Sequence, residues 1–417
     1  MTTQIDSNLQ AGRMASKSNP VPQDDANSLA SVNTERDYQD GPVPKPGFNL
    51  SKSFRVLASY LKEQWFLLTL GVLIAIASQR QVPEAHQELK ETVVTYLCVA
   101  IIFLITGCTL PTRVLLANYS RWKIHIFVQI QCFLMTSATV FAVVSATATN
   151  RHFMDAGLLI GMILTGVVPT TISSNVVLTR QANGNTALTV VQSTLGNLLG
   201  PFIVPLLLQM YTGTGAWYTD FLPSNSGDYG AVYQRVFKQL GLSLFLPLFV
   251  GQVLQNVFPR ATETVMKKWG ISKLSSFCLL IIIWSTYDQA FQSGAFNTLP
   301  ASNIVFVVFM SIAFFIIWLT IAFTTARLWL PREDVVAVCY CVPAKTPAMG
   351  VPLVQTIYFG LSRFDQSKLQ IPMVFFQGLQ IAGGSLLIGA FRWWVGRDSA
   401  KPKFQGNNES DAQEQSV

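Results

Sequence analysis

Cys341-Val-Pro-Ala-Lys-Thr-Pro-Ala-Met-Gly350 sets two prolines, a lysine and a glycine inside an otherwise apolar block. Proline removes a backbone donor and crowds the preceding turn, so a helix entering this stretch must break. In hydrocarbon each unsatisfied backbone group costs several kcal/mol, and a break survives only where protein buries it or water reaches it. A second stretch breaks in the same way. Val167-Val-Pro-Thr-Thr-Ile-Ser-Ser-Asn175 puts Pro169 ahead of a run of hydroxyl and amide side chains.

Around these two stretches the apolar residues fall into blocks near the ~20 residues that cross a ~30 Å hydrocarbon core. The expected spans are 65–78, 93–110, 124–146, 156–179 and 186–210, then 236–257, 274–291, 304–328, 335–359 and 371–395. One break lies in the fourth span of the first five, the other in the fourth of the second five. A unit with an odd number of spans can be followed by a second copy only upside down. Paired interrupted spans at matching positions mark the binding site of an inverted-repeat transporter. The fold class expected is therefore an all-α polytopic membrane protein, with ten transmembrane helices as two inverted five-helix repeats and broken, crossing fourth and ninth helices. Two unrelated proline kinks are the plainer alternative.

Composition agrees with a membrane protein. Half of the 417 residues are hydrophobic and 12% are charged, against roughly a quarter charged in soluble domains. The net charge of +7 resides in tails and short loops without the interleaved aromatics of a nucleic-acid groove, so no nucleic-acid partner is expected. The six cysteines fall in or beside apolar spans. The Cys339-x-Cys341 pair is a weak metal signal, read here as apolar packing. His86, His125 and His152 are scattered, and the chain has no nucleotide-binding loop. Neither catalytic residues, metal nor cofactor is expected, and the chain is not read as an enzyme. Residues 1–58 and 397–417 are polar and without apolar period, expected as disordered tails flanking a transporter domain at 59–396. No apolar leader opens the sequence, so the first span is expected to serve as an uncleaved anchor.

The basic residues are lopsided. Lys52, Arg55, Lys62, Arg113, Arg121, Lys123, Arg180 and Arg260 fall on one side, followed there by Lys267, Lys268, Lys273, Arg327, Arg332, Arg392 and Arg397. The other side holds Arg80, Lys90, Arg151, Arg235, Arg363 and Lys368. The positive-inside rule then puts both termini in the cytosol. The sequons at Asn49, Asn118 and Asn408 lie on that side and are expected to stay unglycosylated.

Ionisable residues within spans cost at least ~2.5–3.5 kcal/mol, so each is a functional candidate. Lys345, between Pro343 and Pro347, could exchange a proton, act as a fixed counter-ion for an anionic solute, or tether the half-helices through their terminal carbonyls. Asp288, among Ser285, Thr286, Tyr287 and Gln289, could bind a cation or simply sit near the outer interface. Ser173, Ser174 and Asn175, with Thr189, Gln192 and Ser193, form a neutral oxygen-rich set. Thr189 and Ser193 are four apart and share a helix face. Such oxygens suit sodium or a polar solute, and they also glue helices together. Gln129 and Gln131 carry the same two readings.

Several segments together resemble the bile acid:sodium symporter superfamily over about residues 60–395. They are Glu63-Gln-Trp-Phe66, Lys123-Ile-His-Ile-Phe-Val-Gln129, Pro169-Thr-Thr-Ile-Ser-Ser-Asn175, Gly184-Asn-Thr-Ala187, the Gly200-Pro-Phe-Ile-Val-Pro205 turn and Ala344-Lys-Thr346. The nearest resemblance is to the symporter-like branch typified by the seventh member of human solute-carrier family ten, whose fungal members are described as regulators of calcium homeostasis. The resemblance implies a core domain with crossed fourth and ninth spans beside a smaller panel. It implies sodium ligands at Ser174, Asn175, Thr189 and Ser193, with a third-span glutamine at Gln129. In the ninth span, where relatives carry a glutamate and a glutamine, Cys341 and Lys345 stand instead. Losing a carboxylate and gaining an ammonium disfavours sodium by several kcal/mol.

The function expected is a secondary solute carrier in a plasma membrane, with the Golgi or endoplasmic reticulum as alternatives. It is proton-coupled or uncoupled, moves a small solute that is anionic if Lys345 is its counter-ion, and negatively regulates cytosolic calcium. Its site residues would be Gln129, Ser174, Asn175, Thr189, Ser193, Asp288, Lys345 and Thr346, with helix breaks at Pro169, Pro343 and Pro347. The competing reading is a non-transporting regulator that uses the same fold to bind a calcium channel or another partner, or to sense lipid, with its tails as the interaction surface. Membrane lipid is a partner in either case.

Overall fold

The computed structural model describes residues 65–109, 112, 120–223, 234, 237–358 and 360–399. The expected tails lie almost wholly outside the described residues, as do Lys52, Arg55, Lys62, Arg113, Arg235 and the sequons at Asn49, Asn118 and Asn408. Among the described residues the secondary structure is helical, with no strand.

Helix α1 is Trp65–Gln79. Helices α2, Glu84–Thr109, and α3, Trp122–Thr147, follow. Then come α4, Ala156–Val167, and α5, Ser173–Gln181, with α6 at Thr186–Thr212. The second half holds α7, Phe237–Val257, α8, Lys273–Gln292, and α9, Ala301–Ala326. It ends with α10, Arg332–Cys341, α11, Pro347–Ile357, and α12, Arg363–Ser399. Seven of these (α2, α3, α6, α7, α8, α9 and α12) are long and apolar enough to cross a membrane.

The breaks fall where proline places them. Val168 is extended (φ −67°, ψ 151°), the backbone that a following proline imposes, so α4 stops and α5 restarts past Pro169. Asp155 starts α4 by accepting from the Gly157 amide at 2.8 Å. Asn185 caps α6, accepting from the Leu188 amide at 3.0 Å. Pro347 opens α11 at a position where its missing N–H costs nothing.

Two details differ from the sequence reading. Gly200–Pro205 is no turn: α6 runs helically through Pro201 and Pro205, because packed membrane helices can re-satisfy the backbone groups that proline frees. Helix α2 begins at Glu84, well before residue 93, because its polar first turns are anchored by a charge partner on α8. Gln87 donates to the Asp288 carboxylate at 2.9 Å and Lys90 at 2.6 Å.

Small residues set one close helix contact. A Cβ on Gly107 would lie 2.4 Å from the Leu248 oxygen, and one on Gly251 would lie 2.4 Å from the Leu104 oxygen. Helices α2 and α7 therefore pack backbone against backbone, the contact that glycine makes available in lipid.

Polar contacts sort the bundle into two ends. At one end Arg121 pairs with Asp334, Arg392 donates to the Gln181 carbonyl, and Arg332 donates to the Trp394 carbonyl at 2.7 Å. At the other end Lys368 pairs with Asp155 at 2.7 Å, and the Asp155 amide donates to Asn303 at 2.8 Å.

Candidate functional site

The two breaks touch. The Thr346 amide donates to the Pro169 carbonyl at 3.0 Å, so the stretch after α10 is hydrogen-bonded to the stretch after α4. Helix α12 holds the second break in place. Gln380 accepts from the Lys345 amide at 2.6 Å and donates to the Lys345 carbonyl at 2.8 Å, occupying both backbone groups of one unwound residue. Its amide nitrogen also lies 2.5 Å from the Gln377 oxygen.

The Lys345 side chain runs into the protein and is 1% exposed. Its Nζ donates to the carbonyls of Cys132 at 2.6 Å, Gly166 at 2.9 Å and Val168 at 3.0 Å, and to Thr136 Oγ1 at 2.9 Å. Thr136 spends its own proton on the Cys132 and Gly166 carbonyls, so all four oxygens act as acceptors toward the amine. The Trp318 ring lies 5.5 Å away, near enough for a cation–π attraction. Three sources make this cage. The carbonyls of Gly166 and Val168 are left over at the end of α4, where the helix dipole is negative. Cys132 lies within, and Thr136 just after, a π turn in α3, Gln131–Met135, of the kind that recurs at functional sites. Gln380 fixes the lysine backbone. An acceptor-only cage matches an ammonium, which carries three donors and no acceptor.

The neutral oxygen set lies on α5, α6 and the loop that joins α4 to α5. Asn175 donates to Thr170 Oγ1 at 2.7 Å, and Ser174 Oγ lies 3.3 Å from Thr171 Oγ1. Thr189 donates to Thr179 at 3.0 Å, and Ser193 Oγ is 3.9 Å from Cys341 Sγ. Gln129 donates to the Gln192 carbonyl at 3.1 Å and to its side-chain oxygen at 3.0 Å. Gln192 in turn meets His125 Nδ1 at 2.8 Å. Because a backbone carbonyl can only accept, the Gln129 amide is turned with its oxygen toward Gly196, whose Cβ position is 3.2 Å from it. That oxygen is buried and has no hydrogen-bond partner.

Thr346 shares a cavity of about 20 Å³ with Thr171, Asn197 and Ser275, room for about one water. Ser174 lines a larger crevice of about 100 Å³ with Trp65, Phe66, Ser276 and Ile381. Lys345 lines neither cavity.

The structure therefore brings Lys345, Thr346, Pro169 and Asn175 to the place where the two breaks touch, with Ser193 and Thr189 beside Cys341. Asp288 belongs elsewhere. Its carboxylate accepts from the Val82 amide at 2.9 Å, from Gln87 at 2.9 Å and from Lys90 at 2.6 Å, and it is fully buried. Pro343 lies in the unwound link between α10 and α11. Gln380, Gln377 and Asn197 were not singled out by sequence reasoning. Asn197 donates to the Thr170 and Ser193 carbonyls, each at 2.8 Å. Buried amides in apolar spans were the signal that could have found all three.

A family model described as the SBF-like CPA transporter family matches residues 64–393. The chain is 36% identical to the solute carrier RCH1 of Candida albicans, over 85% of this chain and 95% of that protein. It is 35% identical to the solute carrier RCH1 of Saccharomyces cerevisiae, over 82% and 87%. It is also 28% identical to the sodium/bile acid cotransporter 7 of Xenopus tropicalis, over 81% and 94%. Those matches lead to one conclusion: the chain belongs to the SBF-like CPA transporter family and is a membrane transporter of the bile acid symporter type.

Proposed function

We propose that the protein is a secondary solute carrier working by alternating access around the crossed breaks, with the Lys345 ammonium as a built-in cation. One observation carries the reading. Lys345 Nζ occupies an acceptor-only cage of four oxygens at 2.6–3.0 Å, where a dissolved cation would otherwise neutralise the leftover helix-end carbonyls. A cation that is covalently attached cannot be carried across the membrane. Sodium would then give no thermodynamic drive through this position, and transport would be uncoupled or proton-driven.

Each expected span coincides with a helix or with a split helix pair, which supports ten crossings as two inverted repeats. Arg121, Arg332 and Arg392 gather at one end of the bundle, which supports cytosolic termini; the plasma membrane is the location in this reading. The solute would reach the crossing by the crevice at Ser174, and the remaining neutral set would offer it hydroxyl and amide groups. In the cell the carrier would restrain cytosolic calcium, the role that the resemblance implies.

Uptake of a panel of small anions by the purified chain in liposomes, with and without an inward sodium gradient, tests the reading. Equal uptake in the two conditions is expected. A full sodium requirement in the native chain would sink the tethered-cation mechanism.

A further inference from the structure

Buried amides without partners mark one line through the protein. Gln370 on α12 is 0% exposed, and neither its oxygen nor its nitrogen has a hydrogen-bond partner. Turning that amide over satisfies neither end. The nitrogens of Gln377 on α12 and Gln289 on α8 are orphaned as well, at 0% and 1% exposure. A buried amide left unpaired carries its whole desolvation cost, and native interiors hold few of them.

The three side chains share one path. Ser293 of α8 donates to Ser367 of α12 at 3.4 Å, and the Tyr287 and Phe375 rings meet edge to face at 6.0 Å. The end of α8 therefore runs antiparallel along the start of α12. Gln289 lies one turn before Ser293 and Gln370 one turn after Ser367, on the faces that these serines bring together. Gln377 is two turns beyond Gln370 on the same face. Between them Met373 lies against Gly350 of α11, and its unbranched chain can swing aside. The Gln377 oxygen receives the Gln380 amide nitrogen, which also holds the Lys345 carbonyl. The line thus starts at the end of the bundle where Lys368 pairs with Asp155 and finishes at the unwound link.

We infer that Gln289, Gln370 and Gln377 line a closed limb for water, which enters between α8 and α12 when the two helices part. Each amide offers donors and an acceptor oxygen, so it can hand a file of waters from one side chain to the next. The crevice at Ser174 reaches Gln181 at the opposite end, where Arg392 bonds its carbonyl. The touching breaks are thus approached by a polar lining from each end. Use of the limb by a solute rests on the alternating-access reading; its wetting does not, and is measured without solute or sodium.

Alkylation of introduced thiols by iodoacetamide tests it, in the purified full-length chain held in lipid nanodiscs so that both faces meet the reagent. Alkylation needs the thiolate, which forms only where water reaches. Labelling is read peptide by peptide, and the six native thiols are buried. An open state populated at about 0.1–10% should label Gln370→Cys roughly 10–1,000 times more slowly than Asn150→Cys at the exposed surface. Leu369→Cys, one residue away and 0% exposed, should stay unlabelled. Gln370→Met keeps the volume and removes both orphaned atoms, so the unfolding midpoint should hold or rise. Labelling of Gln377→Cys should fall several-fold when combined with it. The inference is overturned if Gln370→Cys labels no faster than Leu369→Cys, or if Gln370→Met lowers the midpoint as the loss of a paired amide would.

Discussion

Replacing Lys345 with alanine should leave a cation-sized hole and make the protein dependent on a small amine. The substitution takes the lysine donor from the Cys132, Gly166 and Val168 carbonyls, the first two of which keep the Thr136 hydroxyl, and leaves a cavity where the side chain packed. Each buried carbonyl left unpaired costs about 1–3 kcal/mol, and relief of the ammonium's desolvation partly offsets the sum. The net loss of stability is on the order of 3 kcal/mol. Ethylammonium fits the vacated space and restores the missing donors. At ten times its dissociation constant it returns about 1.4 kcal/mol, close to half the loss. Unfolding of the purified chain, followed by tryptophan fluorescence, would show a lowered midpoint that rises with ethylammonium and does not rise with tert-butylammonium. If the variant unfolds at the native temperature, or if amines of every size act alike, the caged-cation argument is wrong.

Other expectations are simpler to state. Asp288→Asn should cost about 3–5 kcal/mol because Lys90 is left charged and unpaired in a buried site, whereas Lys90→Met combined with Asp288→Asn should recover most of it; equal unfolding midpoints for the single and double variants would refute this. Gly251→Val should separate α2 from α7, since even a Cβ meets the Leu104 oxygen at 2.4 Å, and poor yield with an early unfolding midpoint is expected on thermal shift. Cys341→Glu combined with Lys345→Gln places a carboxylate beside Ser193 and removes the ammonium, so a sodium-dependent rise in unfolding temperature should appear that the native chain lacks. Asn175→Ala breaks the bond to Thr170 and should reduce liposome uptake several-fold with an unchanged response to sodium, measured as initial rate.

Much of the architecture could be read before any coordinates. Apolar block length and proline placement located α4, α5, α10 and α11, because both signals act locally along the chain. The lysine cage could not be read. Three of its four oxygens are backbone carbonyls, which every residue carries, so side-chain identity gives no sign of them. Of the three roles weighed for Lys345, a tether to the half-helices on either side of it differs from the contacts seen, because Nζ bonds carbonyls of α3 and of the end of α4. Lys90 was read only as an outer loop base, because its partner Asp288 is far away in sequence and only folding joins them. Gln380 was missed because a glutamine in a long apolar helix resembles any other polar interruption until the backbone groups opposite it are known.

The two-sided grip of Gln380 on residue 345 has a mechanical consequence. It works like a splint: the unwound link cannot slide along the last helix without giving up two bonds at once. The split helix and its splint must therefore travel as one piece. Any flexing that lets solute through has to happen at the borders of that piece.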